Sequence, residues 1–258
     1  MKRGRPEAGL EQLAARWELS APALDRLAGL VRLLEEDPLA PTSVTDPSRV
    51  LDVHVADSLS GLGVAGFRAL DAIVDIGSGA GFPGLVLAIA MPQTRFDLLE
   101  SVGRKCAFIE RAATQLKLPN VHAVCRRAEQ WGAGGGAGAY GGAVARAVGR
   151  LATIVEYAAP LLRVGGMLVT WKGRRDADEE LEGERAARLL GMRPAGVEWV
   201  GAYAGSRHRH LHRYEKAEPT PAGYPRRAGI AKKRPLGASS GSGPNQEENS
   251  IRRRTMSP

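Results

Sequence analysis

Apolar and β-branched residues are concentrated in one short run, Ala72–Ile76, which predicts a buried strand. The run stops at a turn in which four of the eight residues 77–84 are glycine. An apolar helix is expected to follow the turn and to end near Pro92. Strand, glycine turn and helix are together the first unit of a nucleotide-binding α/β sheet. We therefore expect such a sheet in this chain.

The same alternation of strand and helix patterns continues to about residue 216. Further elements are expected as strands at 95–100, 121–124, 143–147, 166–171, 197–203 and 211–214, and as helices at 48–62, 104–118, 151–161 and 176–190. Seven glycines within residues 132–142 predict a loop outside the core. The order of elements predicts an α/β fold with a mostly parallel sheet and helices on both faces.

Shifts in composition divide the chain into three sections. Residues 1–47 predict a small helical section, in which Ser20 caps the second helix and Pro22 lies in its first turn. Residues 48–216 carry the alternating core. Pro, Gly, Ser and basic residues dominate residues 217–258, which are expected to form a largely disordered basic tail.

Two general features bear on where the protein works. No apolar run approaches the roughly 20 residues that cross a bilayer, and the first residues lack a signal-like segment, so a cytoplasmic location is expected. The two cysteines, Cys106 and Cys125, stand 19 positions apart without a CxxC pair. We expect both to be reduced.

The net charge of +8 is concentrated at one end of the chain. Residues 207–258 contain twelve Lys and Arg against four Glu, so this segment carries the whole excess. A basic arm on a neutral body indicates a polyanionic partner, most commonly nucleic acid, or else a solubilising tail.

The spacing of the glycines favours one cofactor class over another. A dinucleotide fingerprint G-x-G-x-x-G fits Gly79, Gly81 and Gly84, but it leaves Asp75 and Gly77 unexplained. Counted from Asp75, the string D-x-G-x-G-x-G is typical of S-adenosylmethionine enzymes. The methyl-donor interpretation is preferred, and the oxidoreductase remains the alternative.

Charged residues stand at the predicted ends of the later strands. Glu100 closes the second strand, where a carboxylate can accept both ribose hydroxyls of a cofactor or serve as an ordinary strand-end acid. Residues 127–129 follow the third strand, at the sheet edge that holds adenine in such folds. Arg146 interrupts the apolar fourth strand and needs a partner, for which Asp75 or Glu100 is a structural choice. Lys172, after the fifth strand, could meet phosphate or a substrate base.

Other chemistries have little support in the sequence. His208, His210 and His212 alternate along one predicted strand without an acidic or cysteine partner, so no metal site is expected. His54 and Asp57 share one side of a helix and predict a local hydrogen-bonded pair rather than a catalytic one.

Several strings together resemble a known family, the small-subunit ribosomal RNA guanine-N7 methyltransferases, also called glucose-inhibited division protein B or methyltransferase G. The extended turn that ends Phe-Pro-Gly-Leu is the most specific of them. The matches run in family order from about residue 25 to 237, as the strings at 42–47, 54–59, 74–85, 99–101, 104–105, 127–129, 145–147, 172–173 and 224–229. Glu36–Pro38 and Ala40–Pro41 depart from the family pattern, which has asparagines there.

The resemblance implies a class I S-adenosylmethionine-dependent methyltransferase, Rossmann-like, with a seven-stranded sheet and an N-terminal helical section. It implies an activity that moves a methyl group from S-adenosylmethionine to N7 of a guanine in 16S ribosomal RNA. With the glycine turn and Glu100, it predicts cofactor contacts at Gly77, Ser78, Gly79, Gly81, Phe82, Glu100, Ala128, Glu129 and Arg146. Arg146, Lys172 and His54 are expected to position the substrate.

The expected partner is 16S ribosomal RNA or the small ribosomal subunit, bound by a monomer. RNA contacts are predicted at Lys172, Arg207, Arg226, Arg227, Lys232 and Lys233. Deletion of the residues after Gly223 is expected to weaken RNA binding and to leave cofactor affinity unchanged. A non-catalytic RNA-binding protein is a further alternative.

Overall fold

Seven strands form a single sheet in the computed structural model, which describes residues 4–237. The strands are β1 (Ala72–Ile76), β2 (Arg95–Glu100), β3 (Val121–Cys125), β4 (Tyr140–Arg146), β5 (Leu162–Lys172), β6 (Met192–Trp199) and β7 (His210–Lys216). Their order across the sheet is β3-β2-β1-β4-β5-β7-β6. All neighbours are parallel except β7, which is antiparallel to β5 and β6. The expected mostly parallel seven-stranded sheet is confirmed.

Helices cover both faces of this sheet and form the expected helical section before it. They are α1 (Gly4–Trp17), α2 (Ala21–Glu36), α3 (Pro47–Arg49), α4 (Asp57–Leu59), α5 (Gly84–Ala90), α6 (Gly103–Gln115), α7 (Ala128–Gly132), α8 (Leu151–Ala158), α9 (Ala177–Leu189) and α10 (Ile230–Lys233). Ser20 caps α2, because its hydroxyl accepts from the Ala23 N–H at 3.4 Å.

The two faces of the sheet carry separate apolar clusters. Side chains of α2, α5 and α6 pack on one face around residues such as Ile73 and Phe96. Side chains of α8 and α9 pack on the other around Val74 and Leu168. Because successive residues of a strand point to opposite faces, the strands in the middle of the sheet are mainly apolar along their length. The core therefore lies on both sides of β1 and β4.

The glycine-rich stretch is only partly a loop. Residues 140–142 begin β4, and Tyr140 is fully buried. A Cβ atom on Gly142 would lie 2.7 Å from a Leu70 side-chain carbon, so the missing side chain makes room for neighbours. The prediction that residues 132–142 stay outside the core is wrong for its last three residues, because glycine can pack closely where a larger residue cannot.

The helix expected at 48–62 is irregular. Its chain passes from α3 through a π-helical segment, Val50–Ala56, into α4 and a 3₁₀ turn, Ser60–Gly63. A π-helical turn adds one residue per turn and changes which side chains share a face. The side chains of His54 and Asp57 consequently do not pair with each other.

The C-terminal section differs from its expected disorder. Residues 217–237 lie along α8 and α9, and α10 is inserted there with Ala231 fully buried. The backbone N–H groups of Ala217 and Glu218 donate to Gly191 O at 3.0 Å. The composition of this segment predicted disorder because the contacts that order it are few and join residues far apart in sequence. Residues 238–258 of the expected tail are outside the described residues.

Cys106 and Cys125 form a disulfide, with their Cα atoms 5.8 Å apart, so the expectation of two reduced thiols is wrong for this structure. Cys125 ends β3 beside Glu100 of β2, and α6 carries Cys106 back over this pair. The two residues meet because β2 and β3 are adjacent, which their separation in sequence does not indicate.

Two kinds of feature are absent from the described residues, 4–237. None of the helices there is both long enough and apolar enough to cross a membrane. Within the same part of the chain, no group of three or more His, Cys, Asp or Glu side chains is arranged to hold a metal ion.

Candidate functional site

The glycine turn after β1 lies at the carboxyl edge of the sheet and leaves open space above its backbone. The N–H groups of Gly77 and Ser78 donate to Leu99 O of β2 at 2.8 and 3.1 Å. Gly79 and Gly81 have φ values of +61° and +87°, which side-chain-bearing residues rarely adopt. A Cβ atom on Gly79 would meet no atom closer than Gly77 O, at 4.0 Å. A ligand can therefore approach the backbone here.

Asp75 fixes the shape of this turn from below. Its Oδ2 accepts the N–H of Gly84, the first residue of α5, at 2.8 Å. A Cβ atom on Gly84 would lie 2.7 Å from that oxygen, so only glycine allows the contact. Asp75 is fully buried, and its Oδ1 has no hydrogen-bond partner among the described residues. Burial raises the pKa of this carboxyl to about 7.

Glu100 lies against the same turn. Its Oε1 accepts from the N–H groups of Ser101 and Val102 at 2.7 and 3.0 Å, and its Oε2 accepts from Gly79 at 3.1 Å. A carboxylate offers about four acceptor positions, so one position on Oε2 remains for a ligand hydroxyl. Ser78, by contrast, turns its hydroxyl inward to Asp75 O at 2.9 Å.

Ala128 and Glu129 begin α7 at the neighbouring strand end. Both side chains are nearly buried. Oε1 of Glu129 accepts the Gly229 N–H of the C-terminal segment at 2.7 Å. The backbone of this short helix thus lies at the carboxyl edge beside Glu100, while its acidic side chain points toward the chain's end.

Arg146, at the end of β4, is the centre of a buried polar cluster. One amino group, Nη1, donates to Asp57 Oδ2 at 3.0 Å and to Val53 O at 2.9 Å. Asp57 is fully buried, and its other oxygen lies 3.3 Å from Nε of Arg209. The partner of Arg146 is therefore Asp57, from the irregular helical segment. The prediction that Asp75 or Glu100 would pair with Arg146 is wrong.

His54 links this cluster to the glycine turn. The second amino group of Arg146 lies 3.2 Å from His54 Nδ1, and Thr42 Oγ1 lies 3.1 Å from Nε2. A guanidinium can only donate, so Nδ1 accepts, and the proton of the neutral ring sits on Nε2 and faces Thr42. Burial and the nearby Arg146 lower the pKa of His54 to about 4. The ring is uncharged at neutral pH.

Phe82 packs against both of these residues. Its ring is stacked on His54, and the Arg146 guanidinium carbon lies 5.5 Å from its centroid. The glycine turn, Arg146 and His54 therefore lie close together, which a common site for all three requires.

The predicted RNA contacts fall into two groups. Lys172 is held by Gly149 O at 3.0 Å and Glu179 Oε1 at 2.6 Å, and Arg226 is paired with buried Glu156. The remaining side chains are exposed to solvent: Arg207, Arg227, Lys232 and Lys233. The alternating histidines do not converge on one point. His210 Nδ1 contacts Gly173 O at 2.9 Å, and His212 is buried toward Glu180.

Sequence reasoning missed two participants. Thr42 and Arg209 reach the cluster from the loop after α2 and from the loop before β7. Because β7 is antiparallel, its first residues lie at the carboxyl edge. A basic residue just before an apolar late strand is too common a pattern to have indicated this.

A mostly parallel sheet with a D-x-G-x-G-x-G turn after its first strand and a fixed carboxylate at the end of its second defines a class I methyltransferase. The sequence model described as rRNA small subunit methyltransferase G matches residues 32–211. The chain belongs to this family.

Similar proteins cover most of the chain. One from Synechococcus sp. strain JA-2-3B'a(2-13) is 41% identical over 204 residues, which is 77% of this chain and 78% of the relative. Another, from Synechococcus sp. strain JA-3-3Ab, is 39% identical over 231 residues, 86% and 88% of the two chains. A third, from Rubrobacter xylanophilus, is 41% identical over 195 residues, 74% and 75% of the two chains. All three are named ribosomal RNA small subunit methyltransferase G.

Proposed function

We propose that this protein transfers a methyl group from S-adenosylmethionine to N7 of a guanine in 16S ribosomal RNA. The observation that carries the proposal is the placement of Glu100 against the open glycine turn, with its Oε2 3.1 Å from Gly79 N. S-adenosylmethionine carries its methyl on a sulfonium, which a nucleophile can attack directly. The family relatives, which are named for ribosomal RNA methylation, supply the substrate class.

The residues at the turn fit this cofactor. The space over Gly79 is free of side chains, and Glu100 keeps one acceptor position for a ribose hydroxyl. Ala128 and Glu129 would border the adenine at the next strand end. Gly77, Ser78, Gly81 and Phe82 would shape the rest of the pocket, with Arg146 behind Phe82.

The neighbouring side chains suit transfer to a ring nitrogen. Both nitrogens of His54 are engaged, and Asp57 is shared by two arginines, so neither is a free general base. Guanine N7 carries its own lone pair and needs no proton removed, so positioning is sufficient. We assign Arg146, His54 and Lys172 to orienting the substrate site, Lys172 through its contact with Glu179.

RNA would lie across the carboxyl edge of the sheet. Exposed Arg207 belongs to the loop between β6 and β7, and Trp199, 63% exposed, ends β6 at the same edge. A cation beside an exposed aromatic ring offers phosphate contact and base stacking. Arg227, Lys232 and Lys233 would extend the basic surface toward the C-terminus. Because ribosomal RNA is cytoplasmic, we expect the protein in the cytoplasm. We also expect it to act as a monomer.

The dinucleotide alternative is less well supported. It would place a pyrophosphate at Gly84, whose N–H is instead bonded to Asp75. Calorimetry with S-adenosylhomocysteine and with NADH separates the two cofactors, and binding of NADH alone would contradict our proposal.

Modification mapping tests the reaction itself. Small ribosomal subunits and naked 16S RNA from cells lacking the gene are incubated with labelled S-adenosylmethionine and the purified chain, and the RNA is mapped by mass spectrometry. We expect one new 7-methylguanosine. Glu100→Ala should abolish it, whereas Glu110→Ala, an exposed glutamate of α6, should not. RNA binding without any methyl transfer would favour the non-catalytic alternative.

A further inference from the structure

The C-terminal residues 224–237, termed here the C-terminal latch, are held by a buried ion pair. Glu156 of α8 is 1% exposed, and both of its carboxylate oxygens accept from the Arg226 guanidinium, one of them at 2.6 Å. The same guanidinium donates to Arg234 O at 2.9 Å. One side chain thus ties both ends of the turn around α10 to the body of the protein. Such a bidentate contact fixes the orientation of the Arg226 side chain as well as its distance from Glu156.

Further contacts continue the attachment along α8 and α9. Thr153 Oγ1 donates to the carbonyl of fully buried Ala231 at 3.2 Å. Tyr224 and Leu236 pack against the apolar cluster on this face of the sheet. The latch is therefore a built part of the described fold, and Arg226 is not available to grip phosphate.

One contact reaches the proposed cofactor pocket. The latch turns at Gly229, which has φ +82° and precedes α10, and its N–H meets Glu129 Oε1 at 2.7 Å. Glu129 is the second residue of α7, whose backbone lies where adenine is held in this kind of fold. The body of the protein and its C-terminal segment thus meet at the edge of the pocket.

The helix α7 makes few other hydrogen bonds to the rest of the described fold. It is five residues long and runs into residues 133–139, a stretch of glycine and alanine with no long side chain to anchor it. Its one other tertiary side-chain bond is that of Trp131 Nε1 to the Tyr140 hydroxyl, at 2.7 Å, among the residues described. Ala128 and Trp131 also pack into the apolar cluster on this face of the sheet, so the Glu129 contact orients a short helix that apolar packing already seats. A short helix with so few hydrogen bonds to the rest of the fold opens more readily than a core strand.

We propose that the C-terminal latch completes the cofactor pocket, with Arg226 as a positioning residue that holds Glu129 and α7 in the orientation that binds the adenosine end. The inference rests on the proposed placement of adenine at Ala128 and Glu129. It reverses the expectation that removal of residues after Gly223 leaves cofactor affinity unchanged. Preorganisation of a pocket raises affinity because ordering is complete before the ligand arrives.

A matched pair of variants tests the proposal in the full-length chain. Arg226→Ala and Arg227→Ala each remove one positive charge from neighbouring positions, but only Arg226 is paired with Glu156. Calorimetric titration with S-adenosylhomocysteine should show about tenfold weaker binding for Arg226→Ala and binding within twofold of wild type for Arg227→Ala. Arg226→Lys, which keeps the charge but not the paired contact, should fall between them.

Each result supports or overturns the inference. Equal S-adenosylhomocysteine affinity of the two alanine variants overturns it. If Arg226→Ala does not fold, the milder full-length variants Arg226→Lys and Arg227→Lys are compared, and the latch predicts weaker cofactor binding by Arg226→Lys only. RNA affinity measured alongside should fall no more for Arg226→Ala than for Arg227→Ala. A wild-type chain that does not bind S-adenosylhomocysteine would instead contradict the proposed function.

Discussion

His54 and Phe82 stack face to face, with ring centroids 4.3 Å apart and ring planes inclined by 9°. One ring belongs to the irregular helical segment before the sheet and the other to the glycine turn after β1. Arg146 contacts both rings from β4. Three parts of the chain that are distant in sequence therefore share one contact at the proposed methyl-transfer site.

Loss of this stack should weaken cofactor binding. Phe82→Leu keeps an apolar side chain but removes the ring, and an aromatic pair contributes about 0.5–1.5 kcal/mol beyond its buried area. We expect S-adenosylhomocysteine to bind roughly fivefold more weakly, measured by calorimetry. Phe108→Leu, a fully buried ring of α6 away from the turn, should lower thermal stability without this loss. Equal affinity of the two variants would argue against a role for the stack.

Protonation of His54 should destabilise the fold in mild acid. Its pKa is lowered to about 4 in the folded protein and is about 6.5 when unfolded, so the unfolded state binds the proton more readily between these values. Stability is therefore full above pH 6.5 and falls as the pH approaches 4, by about 1–3 kcal/mol from this residue. Urea unfolding from pH 7 to 4.5 should show a shallower decline for His54→Phe than for wild type. Identical slopes would contradict the shift.

Asp57 should be far more important for stability than an exposed acid in an even shorter ion pair. Asp57→Ala leaves two arginines, Arg146 and Arg209, without their buried partner, and such losses cost about 3–5 kcal/mol. The pair of Arg163 and Asp71, at 2.6 Å, is exposed, so Asp71→Ala should cost less than about 1 kcal/mol. Free energies of unfolding in urea measure both. A similar cost at the two sites would refute the burial argument.

Exposed Arg207 should contribute to the salt dependence of RNA binding. Neutralising one phosphate contact changes the slope of log affinity against log salt by about 0.7–0.9. Arg207→Ala should reduce the slope by about that amount. Arg193→Ala removes an equal charge near the start of β6, at the opposite edge of the sheet, and should leave the slope unchanged. Fluorescence anisotropy with a 16S RNA fragment over a salt series gives both slopes, and a matching reduction in both variants would place the RNA elsewhere.

Reduction of the pair Cys106 and Cys125 should lower stability. Closing a loop of about this length contributes roughly 3 kcal/mol when the unfolded chain is constrained. Reductant should therefore lower the thermal midpoint of the wild-type chain but not that of Cys106→Ser. Mass spectrometry after alkylation without reductant should find neither thiol labelled. Labelling of both would restore the expectation of reduced cysteines.

Much of the sheet was predictable because its signals are local. The strand Ala72–Ile76 and the glycine turn follow from adjacent residues, and the mostly parallel arrangement follows from the regular alternation of strands and helices. The start of β4 was not predictable, because Gly141 and Gly142 lie in the sheet where Arg163 and Leu70 pack closely against them. Residues 217–237 were likewise expected to be disordered, since their anchors, Glu156 and Glu129, are about 70 and 100 positions away.

The sequence by itself determined most of the elements, the mostly parallel arrangement of the strands, the D-x-G-x-G-x-G turn and the carboxylate that closes the second strand. These features depend on neighbours within a few positions, where side-chain spacing and glycine geometry act directly. Only the tertiary structure decided that Arg146 pairs with Asp57, that His54 stacks on Phe82, and that the C-terminal latch reaches Glu129. Such pairings are selected by burial: a charge or polar ring removed from water must meet whichever partner the packed sheet edge brings within reach.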